Sequence, residues 1–366
     1  MTSNYYVIIN PHIFYPIRMS NSISRRTLIL GGIGGAAGIV LGPALATNAG
    51  QGREIRALFD RLPVFGVPMP TAFSSSLEID LGAQRRLLRF YQQAGANTVL
   101  AVATTGEMMS LSWPEALQLT RMASGVFGAA RTWASISCGR SVEACVQGAV
   151  ALRKAGASLP LVIPGLLANA SVPEAEALKR LVAVGQRASG PLGLYEAISP
   201  FHRTLTPSVL NTLAALGTYQ MLKTTQGQPE QIAALRAAAG ASFTLLEANT
   251  AELAAALAAG ASGVMDFCAA CFPELLAFLC RHWRDEGQMQ SIQRLCNWIG
   301  QTDAVLQQSL PFPLSVKAAL AARGFEILPL SRLNINDLNN EQQAVIQDLV
   351  RQFQALCQEL KIKTLI

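Results

Sequence analysis

The sequence predicts an α/β chain built as a closed (β/α)8 TIM barrel with a C-terminal helical subdomain, on three observations. Short apolar runs alternate about eight times with amphipathic, alanine-rich stretches that close near glycine. Strands alternating with helices pair in parallel, because a parallel neighbour needs a long crossover, and eight such units fill the roughly 250 residues of a barrel. The open doubly wound sheet is the alternative; against it, no G-x-G-x-x-G follows the first apolar run.

Taken in order, the strands are expected at Val64–Pro70, Asn97–Ala103, Thr132–Ser137, Leu159–Pro164, Leu192–Ala197, Tyr219–Thr224, Phe243–Ala248 and Gly263–Phe267. The helices between and after them are expected near Leu81–Ala94, Trp113–Phe127, Val142–Ala155, Val172–Ala188, Pro207–Leu216, Pro229–Ala239, Ala251–Ala259 and Pro273–Glu286. Several open on Ser or Thr beside Pro or an acid, as at Ser171-Val-Pro-Glu174 and Thr206-Pro207, and close at Ala-Gly, which are capping signatures. Three more helical segments, Met289–Gln307, Leu314–Ala322 and Asn339–Leu356, make the C-terminal part. The domain boundaries read from this pattern are a signal segment over 1–46, a linker over 47–62, the barrel over 63–287 and the helical subdomain over 288–366.

Hydrophobic residues are 51% of the chain and charged ones 14%, enough apolar material for a strand layer wrapped in helices. The formal charge of +6 is concentrated at one end: Arg18, Arg25 and Arg26 fall in the first 46 residues, which hold no acid. Removing those three from 29 basic residues leaves 26 against 23 acidic ones, or +3. No basic run with interleaved aromatics remains, so no nucleic-acid partner is expected. Ser24-Arg25-Arg26-Thr27 before the glycine-rich apolar stretch Leu28–Leu45, with Ala44-Leu45-Ala46 as a cleavage site, reads as a twin-arginine export signal. The expected location is the periplasm, with no membrane span left after signal removal; an uncleaved anchor is the alternative.

Seven cysteines lack framework spacing. Cys268-Ala-Ala-Cys271 has half-site spacing but no second pair and no histidine nearby, so it reads as packing at a strand–helix junction. No metal and no cofactor is expected.

Catalytic groups of such barrels stand at the C-terminal ends of the strands. Beyond the signal there are six lysines, and only Lys223 lies inside an apolar strand. Burying an unpaired ammonium ion is costly, which favours the neutral, nucleophilic amine; a lysine reaching the rim, or paired with Glu247, is the alternative. Tyr195 ends the preceding strand and is either a proton relay or an aromatic plug. Ala103-Thr104-Thr105-Gly106-Glu107 ends the second strand with hydroxyls and turn amides suited to a carboxylate. Arg203, eight residues after Tyr195, is either a ligand or an exposed loop residue. Asp266 is a rim acceptor or a functional group.

Together these residues resemble the dihydrodipicolinate synthase/N-acetylneuraminate lyase family, from about Val64 to Leu330. The ATTGE loop is similar to the family's GTTGE, and Gly193-Leu-Tyr195 to its strand-five tyrosine motif. Leu222-Lys-Thr-Thr-Gln-Gly227 is similar to its Schiff-base segment and Gly260-Ala-Ser-Gly263-Val-Met to its GAxGVI strand. Pro313 with Lys317-Ala-Ala-Leu resembles its C-terminal helix motif. The resemblance implies that Lys223 forms an imine with pyruvate or a related 2-oxo acid, and that Tyr195 and Thr105 relay protons. It implies too that Thr104, Thr105, Gly106 and Gly263 hold the substrate, and that the protein is a dimer or tetramer. Departures are equally clear. Ile163-Pro-Gly-Leu-Leu167 lacks the strand-four tyrosine, Glu196 replaces an asparagine, and Arg203 stands a few residues from where the synthases keep an arginine for the second substrate. The expected function is therefore a class I aldolase or lyase on a 2-oxo acid, of the sugar-acid or hydroxy-oxo-acid type. The alternative is an exported, non-catalytic barrel that binds an oxo acid or a partner protein.

Overall fold

The structure, a computed structural model, describes residues 63–249, 252–333 and 337–366. The expected signal and linker lie outside them. Eight parallel strands close on themselves in sequence order: β1 (Val64–Pro68), β2 (Thr98–Leu100), β3 (Thr132–Ser135), β4 (Leu159–Val162), β5 (Leu192–Tyr195), β6 (Tyr219–Thr224), β7 (Thr244–Glu247) and β8 (Gly263–Met265). Closure is made by β1 on β8, with Val64 opposite Gly263 and Gly66 opposite Met265. Every strand residue is buried. That explains why the strands read as continuous apolar runs rather than alternating ones.

One main helix follows each strand: α1 (Leu81–Gln93), α2 (Trp113–Phe127), α3 (Val142–Lys154), α4 (Glu174–Arg187), α5 (Pro207–Ala215), α6 (Pro229–Ala239), α7 (Leu253–Ala258) and α8 (Pro273–His282). Their starts are set by side chains that satisfy the first backbone donors. Ser112 caps α2 in a reciprocal box with Glu115, and Asp80, Ser141 and Thr206 cap α1, α3 and α5.

The sixth expected strand, Tyr219–Thr224, is matched at both ends, whereas the other seven run too long at their C-terminal ends. Ala101–Ala103 and Asp266–Phe267 are apolar enough to be read as strand, but they lie beyond the paired registers and lead into the site. Pro164 likewise opens a helical turn, Pro164–Leu167.

Three helices complete the chain: α9 (Met289–Ala304), continued by a π turn at Val305–Ser309, α10 (Leu314–Ala322) and α11 (Asn340–Glu359). Expected as an appended subdomain, they share one core with the barrel: Ile292, Leu295, Leu320 and Phe353 belong to the same buried cluster as the strands. Arg323, the residue after α10, pairs with Glu274 of α8, both side chains buried. Cys268–Cys271 forms a short, fully buried helical turn after β8, the packing role expected of it. Among the described residues no helix is long and apolar enough to cross a membrane.

Candidate active site

A cavity of about 950 Å3 opens at the C-terminal ends of the strands. Lys223, in β6, lines it and is only 4% exposed. Register sets Tyr195 of β5 directly beside it, and the ammonium nitrogen lies 4.5 Å from the centre of the tyrosine ring. Among the described residues no hydrogen bond or ion pair engages that nitrogen; the nearby acids whose fields it meets are Glu247 and Asp266. A buried amine left without a partner is costly in a folded protein unless it is used.

The Tyr195 hydroxyl is 2.8 Å from Oγ1 of Thr104, so a proton can pass between the two. Thr104 belongs to a single 3-10 turn, Thr104–Gly106, that follows β2, and Thr105 lines the cavity beside it. The turn is locked from behind. The Thr71 hydroxyl donates to the Gly106 carbonyl at 2.6 Å. A β-carbon at position 106 would fall 2.5 Å from the Met69 carbonyl oxygen, so only glycine fits; Gly106 shapes the turn and does not line the cavity. Glu107 then takes a left-handed conformation, φ 57°, and forms a buried ion pair with Lys317 of α10, 2.6 Å long with both side chains fully covered. Lys317 also donates to the Thr71 carbonyl. The second Glu107 oxygen accepts from the Ser331 hydroxyl at 2.9 Å and the Arg332 amide at 2.8 Å. α10 and the segment after it thus hold the threonine turn in place.

Glu196 points to the other side of β5 from Tyr195 and is fully buried. Its carboxylate accepts from the Thr224 hydroxyl at 2.7 Å, from the Gln226 amide at 3.0 Å and from the Leu205 backbone N–H. Burial raises its pKa and these bonds offset part of the rise. It ties the ends of β5 and β6 together behind the cavity, a role that asks for several acceptor positions at once.

Besides Gly106, expected to hold the substrate, two more sequence expectations are corrected. Arg203 is not at the cavity: its guanidinium donates to the carbonyls of Ala168 and Asn169, each at 2.6 Å, and to that of Val172. Arg203 thereby ties the loop after β5 to the carbonyls of the loop after the Pro164–Leu167 turn. Gly263 is not a ligand site either. A β-carbon there would sit 2.1 Å from the Val64 carbonyl oxygen, so the glycine permits barrel closure.

Residues that sequence reasoning missed come from after β8. Asp303 of α9, Gln307 and Gln308 of the π turn, and Phe312 all line the cavity. The Lys317-Ala-Ala-Leu motif was the one local hint that this segment bears on the site. Asp266, left open between two roles, also lines it, next to Asp303.

Glu247, beside Lys223 on the neighbouring strand, provides a pH-sensitive element. Its carboxylate accepts from the Ala248 and Asn249 amides at 2.8 and 2.6 Å. Burial nevertheless raises its pKa to about 7, against an ordinary 4.5. The folded state therefore holds a proton that the unfolded state has released, so stability is fully present below about pH 4.5 and lost as pH rises through about 7. The full loss corresponds to about 3 kcal/mol. Glu247→Gln is expected to flatten this slope and to be the more stable form at pH 8. Urea unfolding of both proteins from pH 5 to pH 8 checks it; parallel slopes would refute the assignment.

The site is thus a strand-borne lysine facing a phenol–hydroxyl pair at the mouth of a (β/α)8 barrel. A profile of the Dihydrodipicolinate synthetase family matches residues 64–353, and the chain belongs to that family. It is 27% identical over 261 residues to the 4-hydroxy-tetrahydrodipicolinate synthase of Synechococcus sp. (strain CC9605), covering 71% of this chain and 85% of the relative. The synthase structure from Methylacidiphilum fumariolicum SolV superposes with a TM-score of 0.73 at 21% identity, covering 82% of this chain and 99% of that one. YagE, a prophage protein of the dihydrodipicolinic acid synthase family from E. coli K12 solved with pyruvate, superposes with a TM-score of 0.71 at 20% identity, covering 80% and 98%.

Proposed function

We propose that the protein is a class I aldolase or lyase that binds pyruvate or a related 2-oxo acid as an imine on Lys223. The observation that carries this reading is the unpaired Lys223 amine beside the Tyr195–Thr104 hydroxyl pair. In this scheme the amine attacks the ketone carbon, and Tyr195, backed by Thr104, hands the proton that turns the carbinol hydroxyl into water. Thr104 and Thr105 hold the carboxylate by hydroxyl donation. The protonated imine nitrogen then serves as the electron sink for carbon–carbon cleavage, so the chemistry asks for no metal.

The rest of the cavity favours a neutral, hydroxylated tail. Among the described lining residues Lys223 is the one cation, while Thr225, Asn249, Gln307 and Gln308 supply uncharged donors and acceptors. Among the described lining residues a second carboxylate has no guanidinium to meet, and Arg203 is held elsewhere. The reaction is accordingly that of a sugar-acid or hydroxy-oxo-acid lyase. A panel of 4-hydroxy-2-oxo acids with hydroxylated or carboxylated tails, read by pyruvate release, is expected to show turnover of the hydroxylated members. Preferential condensation of pyruvate with aspartate semialdehyde would contradict it.

Export rests on the Arg25-Arg26 pair before the glycine-rich apolar run. The wild type is expected in the periplasm and the double variant Arg25→Lys, Arg26→Lys in the cytoplasm; cell fractionation reads this, and identical distributions would refute it. Light scattering on the purified protein tests the dimer or tetramer that the family resemblance implies against a monomer.

A further inference from the structure

Asp266, the residue after β8, and Asp303, in the last turn of α9, are hydrogen-bonded to each other through their carboxyl groups. Both line the cavity into which Lys223 opens, and imine formation uses neither. Two carboxyl groups at hydrogen-bond distance share a proton, since ionising both would set like charges side by side. Burial raises the Asp266 carboxyl above the usual range; its bond to Asp303 and the charge of Lys223 offset part of the rise. The titratable groups facing the pair are Lys223 from β6 and, from the turn after β8, the thiols of Cys268 and Cys271. Burial keeps both thiols protonated, and the two carboxyls raise them further, while Arg323, just after α10, pulls Cys271 the other way. The Cys268 amide, at 3.3 Å, donates to Asp266 and steadies it. The pair therefore offers a proton donor and a proton acceptor together, in the same cavity as the imine.

We propose that the Asp266–Asp303 pair is the acid–base of the carbon–carbon bond step, acting on the C4 hydroxyl of a 4-hydroxy-2-oxo acid held as its imine on Lys223. The proposal rests on the Schiff-base reading and deepens it. In cleavage, the carboxylate takes the C4 hydroxyl proton and the O–H electron pair becomes the carbonyl π bond of the departing aldehyde. The C3–C4 bond breaks, its pair forms the C2–C3 double bond, and the imine π pair moves onto nitrogen. The resulting enamine takes a proton at C3 from the Tyr195–Thr104 pair, which solvent has reprotonated after imine formation. The protonated carboxyl returns its proton to solvent, and water adds to the imine carbon to release pyruvate and the Lys223 amine. In condensation the same carboxyl returns its proton to the new C4 oxygen.

Three readouts on Asp303→Asn separate this role from the rest of the site. Borohydride trapping of pyruvate and deuterium exchange into the pyruvate methyl group report imine and enamine formation; both are expected to stay within about threefold of wild type. Pyruvate release from a 4-hydroxy-2-oxo acid is expected to fall roughly 10²-fold or more, the range of a lost general acid or base. Its pH profile should lose the acidic limb, and Asp303→Glu should recover part of the rate. Asp266→Asn, nearly isosteric, gives the same comparison should Asp303→Asn fail to fold. Cleavage within a few fold of wild type, or methyl exchange lost in step with cleavage, would overturn the proposal. A wild-type protein that traps no 2-oxo acid at all would instead remove the Schiff-base reading beneath it, and the pair's role with it.

Discussion

Lys223→Arg is expected to lower turnover by roughly 10⁴-fold or more while leaving thermal stability within a few degrees of wild type, in the range seen when a covalent enzyme loses its nucleophile. The substitution keeps a cation over the Tyr195 ring, and its added bulk enters the cavity into which Lys223 already opens. A guanidinium is always protonated and cannot form the imine. If Lys223 were instead a structural cation balancing Glu247 and Asp266, whose acidities its field affects, arginine would preserve function. Steady-state kinetics beside a melting curve separates the two roles. Activity retained within tenfold would exclude the nucleophile.

Lys317→Met is expected to destabilise the protein by about 3–5 kcal/mol, the usual result of leaving one member of a buried ion pair unpaired. Such a loss lowers the melting temperature by roughly 5–10 °C in a chain of this size. Glu107 would keep its Ser331 and Arg332 donors but lose the cation 2.6 Å away. Its left-handed backbone would no longer be tied to α10, and the Thr104–Gly106 turn would loosen with it. The double variant Glu107→Gln, Lys317→Met removes both charges and should recover much of the stability, because the penalty lies in the orphaned carboxylate. Additive losses in the thermal unfolding of the three proteins would show that the pair is not the lock described here.

The barrel was legible because its determinants are local. Each strand is a short apolar run and each helix starts at a capping side chain, so alternation alone implies parallel pairing and closure. Lys223, Tyr195, Thr104 and Thr105 were legible for a related reason: strand ends of one barrel share a face, so their distance in sequence costs nothing in space. Arg203 was not. Its nearness to Tyr195 in sequence suggests the catalytic face, whereas three backbone carbonyls of a neighbouring loop decide where its guanidinium goes. Asp303, Gln307 and Gln308 carry no local signal, since only the docking of α9 and its π turn brings them to the cavity. Gly263 is legible as a motif glycine, but its role is not, because close approach of β1 to β8 is a property of closure.

Reductive trapping on the wild-type protein tests the central claim most directly. Pyruvate and borohydride are expected to add one reduced adduct per chain, and peptide mapping to place it on Lys223, the lysine whose buried amine faces the Tyr195–Thr104 pair. Lys223→Arg should carry none. An adduct scattered over Lys154, Lys179, Lys361 and Lys363, or no adduct with any of a panel of 2-oxo acids, would contradict the account.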